Sequence, residues 1–185
     1  MYNDITLIPN IISKEECQIM LDNVSLASLE KKEYFAEPEG DDGVRKTKKG
    51  DGIRYLDPMY TITEKLKVPH DHQHIKICQI LHYPTGAFQH THADNCIIDP
   101  HTGKVTRIKN WTHSAIVYLN DDFEGGEIVY PSKNFTFKPV AGHCIIHPAG
   151  AEHLHRVNPV TKGDRYCVVI RLVLSEENVV VDNAT

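Results

Sequence analysis

The chain has 185 residues, with 20 Lys+Arg, 25 Asp+Glu, a formal net charge of −5 and 41% apolar residues. These values are typical of a globular protein and exclude a disordered or low-complexity chain. The acidic balance argues against a nucleic-acid surface, and no apolar run approaches the roughly 18 residues of a membrane-spanning helix. We therefore expect neither nucleic acid nor a membrane as a partner.

Cysteine and histidine usage sets further limits. The five cysteines are odd in number and no two are spaced C-x-x-C, which predicts reduced thiols rather than a disulfide framework or a thiolate zinc site. Residues 1–4 carry no basic or apolar leader, so we expect no secretory signal and a cytoplasmic location. The 12 histidines are the unusual feature, because neutral imidazole is the commonest metal ligand in proteins.

The N-terminal third is predicted to be mainly helical. Ser13 and Glu16 form a capping-box pattern before apolar residues at helical spacing, which predicts a helix over 14–33. Residues 36–52 are Gly-rich and charged, and are consistent either with a solvated loop or with a lid that closes over a substrate. A short helix is predicted over 58–67.

After Pro69 the pattern changes to short apolar runs, rich in β-branched and aromatic residues, with turn residues between them. We predict strands over 75–83, 114–120, 127–130, 135–138, 144–147 and 166–174. The whole chain, 1–185, is predicted to be a single domain that is mainly β. Within it, 1–68 form a helical support with the loop, 69–176 the β core, and 177–185 a tail.

The densest set of chemically active side chains surrounds His92 and Asp94. These residues are two apart, so on an extended strand their side chains share one face. Two histidines and one carboxylate on one face form the facial triad of non-heme Fe(II) sites, which leaves coordination positions open. The pair alone is a weak signal, since a single histidine is more often a surface or hydrogen-bonded core residue.

The signal strengthens because the pair belongs to an ordered set of motifs. The sequence resembles the Fe(II)/2-oxoglutarate-dependent dioxygenases, in particular the prolyl 4-hydroxylase-like group, over about residues 8–174. The matching positions are Ile8 to Asn10, Ser13 to Cys17, Tyr83, Gly86, His92, Asp94, Ala115 to Asp121, Gly125 to Glu127, Tyr130, Pro131, His155, Val157, Pro159, Val160, Gly163, Arg165 and Tyr166.

The resemblance implies a double-stranded β-helix, or jelly roll, as the core. It implies that Fe(II) is bound by His92, Asp94 and His155, and that Arg165 pairs with the distal carboxylate of 2-oxoglutarate. Tyr83 and Tyr118 would donate hydrogen bonds to that cosubstrate. The implied reaction consumes O2, with ascorbate as an optional reductant, and hydroxylates a prolyl residue of a protein or peptide while releasing succinate and CO2.

Three positions depart from the pattern of the family and bear on the substrate. Arg171 stands where many relatives have Trp, Gln89 where an aromatic residue is common, and Ile128 where Thr is common. Gln89 and Arg171 are therefore candidate substrate contacts, and Arg171 favours an acidic target as a hypothesis. Arg45 and Arg54 are further candidate substrate contacts.

Two alternatives stay open from the sequence. The same cofactors could serve hydroxylation of a free amino acid or another small molecule. A non-enzymatic cupin-type metal module would instead use His90, His92 and His153, because these residues partly match the two cupin motifs. It would leave Asp94 and Arg165 without a role. The sequence assigns neither the hydroxylated atom nor the oligomeric state.

Overall fold

The computed structural model describes residues 4–27, 62, 65–66 and 74–174. Its helix α1 spans Lys14–Ala27, and short 3₁₀ helices lie at Pro131–Lys133 and Ala151–His153. The strands are β1 Thr6–Ile8, β2 His74–Tyr83, β3 Gln89–His92, β4 Cys96–Ile98, β5 Val105–Arg107, β6 His113–Tyr118, β7 Glu124–Gly125, β8 Ile128–Tyr130, β9 Phe135–Phe137, β10 Cys144–Pro148, β11 His155–Val157, β12 Val160–Lys162 and β13 Arg165–Val173.

The start of α1 is fixed by the predicted capping box. The backbone N–H of Glu16 donates to Ser13 Oγ at 3.1 Å, and the N–H of Ser13 donates to Glu16 Oε2 at 2.6 Å. Two N–H groups at the helix start are thereby satisfied reciprocally. Cys17 and Met20 are buried on the inner side of this helix. Its described part ends at Ala27, and the predicted continuation over 28–33 lies outside the described residues.

The strands form two main antiparallel sheets. The larger sheet has the order β1-β10-β6-β13-β2 and the smaller one the order β3-β11-β8-β9. Two short pairs, β7 with β12 and β4 with β5, complete the pairing. Every strand pair is antiparallel. Two packed antiparallel sheets of non-sequential order are the double-stranded β-helix that was predicted.

Apolar residues cover both faces of the larger sheet. On the outer face, α1 packs with Ile62 and Leu66 against a cluster that includes Val117 and Ile170. On the inner face, a second cluster joins Ile116, Ile145 and Val169 of the larger sheet to Ile128 and Val157 of the smaller sheet. This alternation along β6, β10 and β13 follows from the two-residue repeat of a strand. Polar residues on the inner face are therefore directed into the barrel.

The longer predicted strands are confirmed, with shifts of one or two residues at their ends. The strands β1, β3, β4, β5, β7, β11 and β12 were not predicted individually, because they have only two to four residues and several are mainly polar. Of the predicted helix over 58–67, Ile62 and Lys65 are helical, and most of the rest lies outside the described residues. The loop over 36–52 and the tail over 177–185 also lie outside them, and the single-domain assignment stays a prediction.

All five cysteines carry free thiols, and four of the five are buried. In the described part of the chain, no helix has the length and apolar character that a membrane span requires.

Candidate functional site

Three predicted ligands converge at one end of the smaller sheet. His92 ends β3, His155 begins β11, and the two residues lie directly opposite each other where these strands pair. Asp94 follows β3 by two residues, and its backbone N–H donates to the carbonyl of Ala149 at 3.1 Å. The candidate ligand atoms of His92, Asp94 and His155 all lie within 4.8 Å of one another. This group could hold a metal ion.

The same local hydrogen bond orients His92 and His155. Nδ1 of His92 lies 2.8 Å from the carbonyl oxygen of His90, and Nδ1 of His155 lies 2.9 Å from that of His153. Because a carbonyl only accepts, each Nδ1 carries the proton and each Nε2 keeps its lone pair. The two Nε2 atoms lie 3.4 and 3.9 Å from Asp94 Oδ1. Two nitrogens and one carboxylate oxygen therefore face a common point.

Asp94 is buried, and one of its two carboxylate oxygens, Oδ2, accepts two hydrogen bonds. Oδ2 accepts hydrogen bonds from Ser114 Oγ at 2.5 Å and from Arg171 at 2.8 Å. Burial by itself would raise the pKa of this carboxyl. The Arg171 charge and the nearby imidazoles outweigh burial and hold the pKa well below its usual range. Asp94 is thus an anion at neutral pH, as a metal ligand must be.

The buried imidazoles at this site are neutral. Burial lowers the pKa of His155 well below its usual value, and the adjacent His147 adds to the effect. Burial likewise lowers the pKa of His147 to about 4. His147 packs edge-on against His155 with ring centroids 4.7 Å apart, and its Nε2 is buried without a hydrogen-bond partner. A neutral imidazole is the metal-binding form, so protons do not compete at His155 near pH 7.

Among the described residues, the group is exposed on the side of His92. The side chain of His92 is 26% exposed, whereas those of Asp94 and His155 are 1% and 4% exposed. On the open side, Gln89 Nε2 lies 2.7 Å from His92 Nε2, and Gln89 Oε1 accepts a hydrogen bond from the Tyr83 hydroxyl at 3.0 Å. The structure therefore links Tyr83 to His92 through Gln89, a residue predicted only as a substrate contact.

Arg165, at the start of β13, is a buried charge with aromatic neighbours. It is 1% exposed, and its guanidinium carbon lies 4.6 Å from the Tyr83 ring centroid and 5.2 Å from that of Tyr118. Nη1 donates to Cys167 Sγ at 3.3 Å, and Nε is buried without a partner. Among the described residues no carboxylate forms an ion pair with it. Since an uncompensated buried charge is costly, this arrangement fits a site that receives an anion.

Two further features shape the pocket around Arg165. A Cβ on Gly126 would lie 2.9 Å from Arg165 Cδ and 3.0 Å from the Phe123 ring, and φ at Gly126 is +67°. Only glycine suits this conformation and leaves the space. The Tyr118 hydroxyl is buried without a hydrogen-bond partner. Burial raises the pKa of Tyr118, so the phenol stays protonated and can donate to a bound anion.

Two of the three histidines of the cupin alternative, His90 and His153, do not join this group. His90 is exposed and packs edge-on against Phe88. His153 is buried in the second 3₁₀ helix, where its Nε2 lies 3.7 Å from Asp4. Arg45 and Arg54 lie outside the described residues. The cofactor assignment that requires His90 and His153 as ligands is therefore not supported by the geometry.

Sequence reasoning missed three residues of the site. Ser114 and His147 lie on central strands and showed no spacing to another ligand, and Trp111 precedes β6. The alternation of β6 places Ser114 on the same face as Ile116 and Tyr118, which is the signal that could have found it. Arg171 was predicted to contact substrate, which stays a prediction; the structure shows that it donates a hydrogen bond to Asp94 Oδ2.

The donor set decides which metal fits. Two imidazole nitrogens and one carboxylate oxygen on one face, with no thiolate among them, match the facial arrangement used for Fe(II). The Arg165 guanidinium, whose Nε has no partner, and the Tyr118 hydroxyl lie on the inner face of the same barrel and suit a carboxylate. The residues present thus fit both Fe(II) and an organic anion that carries a carboxylate.

The chain resembles known oxygenases in sequence. Over 92 residues it is 38% identical to human prolyl 3-hydroxylase 2, a match that covers 45% of this chain and 13% of that protein. The chain therefore corresponds to only a small part of that relative. It is 34% identical over 88 residues to the 2-oxoglutarate and iron-dependent oxygenase domain-containing protein 3 of Xenopus tropicalis, covering 45% of this chain and 27% of that protein.

The fold is shared with a solved prolyl hydroxylase from Trichoplax adhaerens, in complex with a peptide fragment of the hypoxia inducible factor oxygen degradation domain. The TM-score is 0.68 at 15% identity, over 98% of this chain and 88% of that one. The model of the 2OG-Fe(II) oxygenase superfamily matches residues 78–171, about half of the chain, and this range includes His92, Asp94, His155 and Arg165. The chain belongs to the 2OG-Fe(II) oxygenase superfamily.

Proposed function

We propose that this protein hydroxylates a prolyl residue of a protein or peptide, with Fe(II), 2-oxoglutarate and O2, and releases succinate and CO2. Two features together carry the proposal. One is the group of His92, Asp94 and His155, and the other is the buried Arg165, which forms no ion pair with a carboxylate among the described residues. The prolyl hydroxylases among the relatives and structural neighbours support the choice of substrate.

In this proposal His92 Nε2, Asp94 Oδ1 and His155 Nε2 hold Fe(II). Bound Fe(II) supplies the oxidising chemistry that couples decarboxylation of 2-oxoglutarate to insertion of oxygen into a substrate C–H bond. Arg165 binds the distal carboxylate of the cosubstrate through its planar fork. The Tyr118 hydroxyl donates to the same carboxylate, and Tyr83 lines the pocket with its ring against Arg165.

The protein contributes positioning and the exclusion of water. Asp94 and His155 are buried, so the ligands on the closed side are shielded from solvent. In the described part of the chain the site is open on the side of His92, and a substrate chain approaches from there. Gln89 lies at this opening and is the residue of the described site best placed to contact the substrate. The proposed contacts of Arg45 and Arg54 and the cytoplasmic location remain predictions.

Succinate formation tests the substrate class. The purified enzyme with Fe(II) and 2-oxoglutarate is offered a library of proline-containing peptides, the same peptides with proline replaced by alanine, and free amino acids. We expect succinate above background and a +16 Da product only with the proline peptides. Stimulation by free amino acids but by no peptide would assign the enzyme to small-molecule hydroxylation instead.

A matched pair of variants ties the activity to the site. His155→Ala removes a proposed ligand, while His153→Ala removes a buried histidine two residues away that does not face the metal. Activity that is lost in His155→Ala and kept in His153→Ala supports the proposal. The reverse pattern contradicts it and favours the cupin-type site.

A further inference from the structure

Asp94 Oδ2 lies next to three residues that are side by side on the larger sheet. Arg171 of β13 pairs in register with Ser114 of β6, which pairs in turn with His147 of β10. All three side chains reach the same atom, Asp94 Oδ2, at 2.8 Å from Arg171, 2.5 Å from Ser114 and 3.8 Å from His147. These three residues thus form a polar rung across the larger sheet, and the rung lies against Asp94 Oδ2.

Only two of these three residues donate a hydrogen bond to Asp94 Oδ2. Nδ1 of His147 lies 2.8 Å from the carbonyl oxygen of Pro148 and carries the ring proton, so its Nε2 presents a lone pair. Ser114 and Arg171 supply the two donors to Asp94 Oδ2. A carboxylate oxygen has about two lone-pair sites, so Oδ2 is saturated. Oδ1 is the oxygen left for a metal ion, and both ligand imidazoles face it.

Arg171 is itself held in place. Its guanidinium carbon lies 5.3 Å from the ring centroid of Trp111, and its side chain is only 14% exposed. The carbonyl of Trp111 accepts a hydrogen bond from Asn95 Nδ2 at 2.8 Å, which joins this segment to the residue after Asp94. Stacking on an aromatic face stabilises a guanidinium and reduces the rotamer freedom lost on binding. The Arg171 charge is therefore fixed beside the carboxylate.

We infer that Arg171 is a positioning residue of the metal centre. It holds Asp94 as a one-oxygen ligand and adds a positive charge beside the ion. The inference rests on the proposed function, since it presumes that Asp94 binds a metal. Without an ion the charges of Arg171 and Asp94 cancel, so a divalent cation enters a site with no net carboxylate charge. The contact also commits the Arg171 charge to Asp94 rather than to an acidic substrate.

Replacement of Arg171 should raise metal affinity rather than lower it. Loss of a residue that merely supports the fold weakens metal binding. Replacement of Arg171 by a neutral residue instead removes a like charge near the ion and releases Asp94 Oδ2, so divalent metal binds more tightly. The freed carboxylate can chelate the ion through both oxygens, which fills a coordination position that the cosubstrate or O2 requires. Metal affinity and hydroxylation therefore change in opposite directions.

Co(II) binding to the full chain tests this without turnover. Trp111 is the single tryptophan of the sequence, so quenching of its fluorescence reports binding near Arg171. We expect Arg171→Gln to bind Co(II) several-fold more tightly than wild type. Its visible Co(II) absorption should change, because Asp94 Oδ2 would take a position that water otherwise holds, and its product per 2-oxoglutarate consumed should fall. Arg171→Lys keeps the charge, and we expect it to restore the wild-type Co(II) affinity.

Arg156→Gln is the matched control, because it removes an exposed positive charge on β11 next to a ligand histidine. We expect it to leave Co(II) affinity unchanged. Arg171→Met, which keeps apolar contact with Trp111, is a second neutral variant should the glutamine variant fail to fold. Equal or weaker Co(II) binding in the neutral variants, with an unchanged Co(II) spectrum, overturns the inference. Absence of Co(II) binding by wild type overturns the proposed metal centre as well.

Discussion

His155 lies directly opposite His92 on paired antiparallel strands, and both imidazoles donate through Nδ1 to the carbonyl two residues earlier. Cross-strand partners have Cβ atoms about 4.5–5.5 Å apart, and here the ring centroids are 4.4 Å apart. The strand register thus brings the two rings together, and the local backbone selects the tautomer that points Nε2 inward. The sheet itself prepares two of the three metal ligands.

Asp94→Asn should abolish tight metal binding. The neutral amide keeps the shape of the side chain, but it loses the anion and leaves the Arg171 charge uncompensated. We expect Co(II) affinity to fall by roughly 100-fold or more, because the site loses its anionic ligand oxygen. Quenching of Trp111 fluorescence measures this. Asp99→Asn, at a turn where Asp99 accepts from His101 and Thr102, is the control, and equal affinity in both variants would contradict the assignment.

Arg165→Met should affect the cosubstrate and not the metal. Hydrogen bonds to charged groups contribute about 1.5–3 kcal/mol, so we expect the KM for 2-oxoglutarate to rise roughly 10- to 100-fold at unchanged Co(II) affinity. Steady-state kinetics over a range of 2-oxoglutarate concentrations give the value. Arg156→Met, which alters an exposed arginine, should leave that KM unchanged. A wild-type KM in Arg165→Met would remove Arg165 from the anion pocket.

Gly126→Ala should destabilise the fold at the anion pocket. The added Cβ would approach Arg165 Cδ to 2.9 Å in a backbone with φ of +67°, which we expect to lower stability by about 2 kcal/mol. Gly103→Ala has a similar φ of +69° but meets no atom within 4 Å, so it isolates the backbone cost of about 1 kcal/mol. Thermal unfolding compares the two variants, and equal losses would show that Arg165 needs no such space.

Two thiols should make the protein sensitive to alkali. Removal from water raises the pKa of the partly exposed Cys78 and of the buried Cys144 from 9.0 to about 12. Above pH 9 the unfolded chain releases these protons and the folded chain keeps them, so stability falls as pH rises from about 9 towards 12. Each thiol contributes a loss of about 1 kcal/mol by pH 10. Urea unfolding between pH 7.5 and 10.5 measures the slope, which Cys144→Ala should reduce; an identical slope in that variant would exclude a part for this thiol.

The metal ligands could be predicted from sequence because each carries its own local signal. His92 and Asp94 are two apart, and His155 stands ten residues before Arg165 in an ordered motif. The long strands β2, β6 and β13 were predictable for a similar reason, since they have 10, 6 and 9 residues and are rich in β-branched and aromatic side chains. Short polar strands such as β3 have no such pattern, and they form because β11 pairs with them.

The support of the ligands could not be predicted in the same way. Ser114 and Arg171 meet Asp94 only through the pairing of β6 with β13 and the approach of a distant segment. Sequence spacing contains no information about that approach, because 77 residues separate Arg171 from Asp94. The contact of Trp111 with Arg171 could not be predicted either, because only the fold brings the Trp111 ring next to the guanidinium. Long-range contacts of this kind decide which charged side chains are available to a substrate.

An anaerobic titration of the metal-free protein with Fe(II) and 2-oxoglutarate, monitored by the visible charge-transfer band of the chelate, tests the site most directly. We expect the band to appear in wild type and in His153→Ala, and to weaken in His155→Ala and in Arg165→Met at limiting 2-oxoglutarate. Fe(II) binding without this band, or loss of binding in His153→Ala alone, would show that His92, Asp94, His155 and Arg165 do not form one oxygenase site.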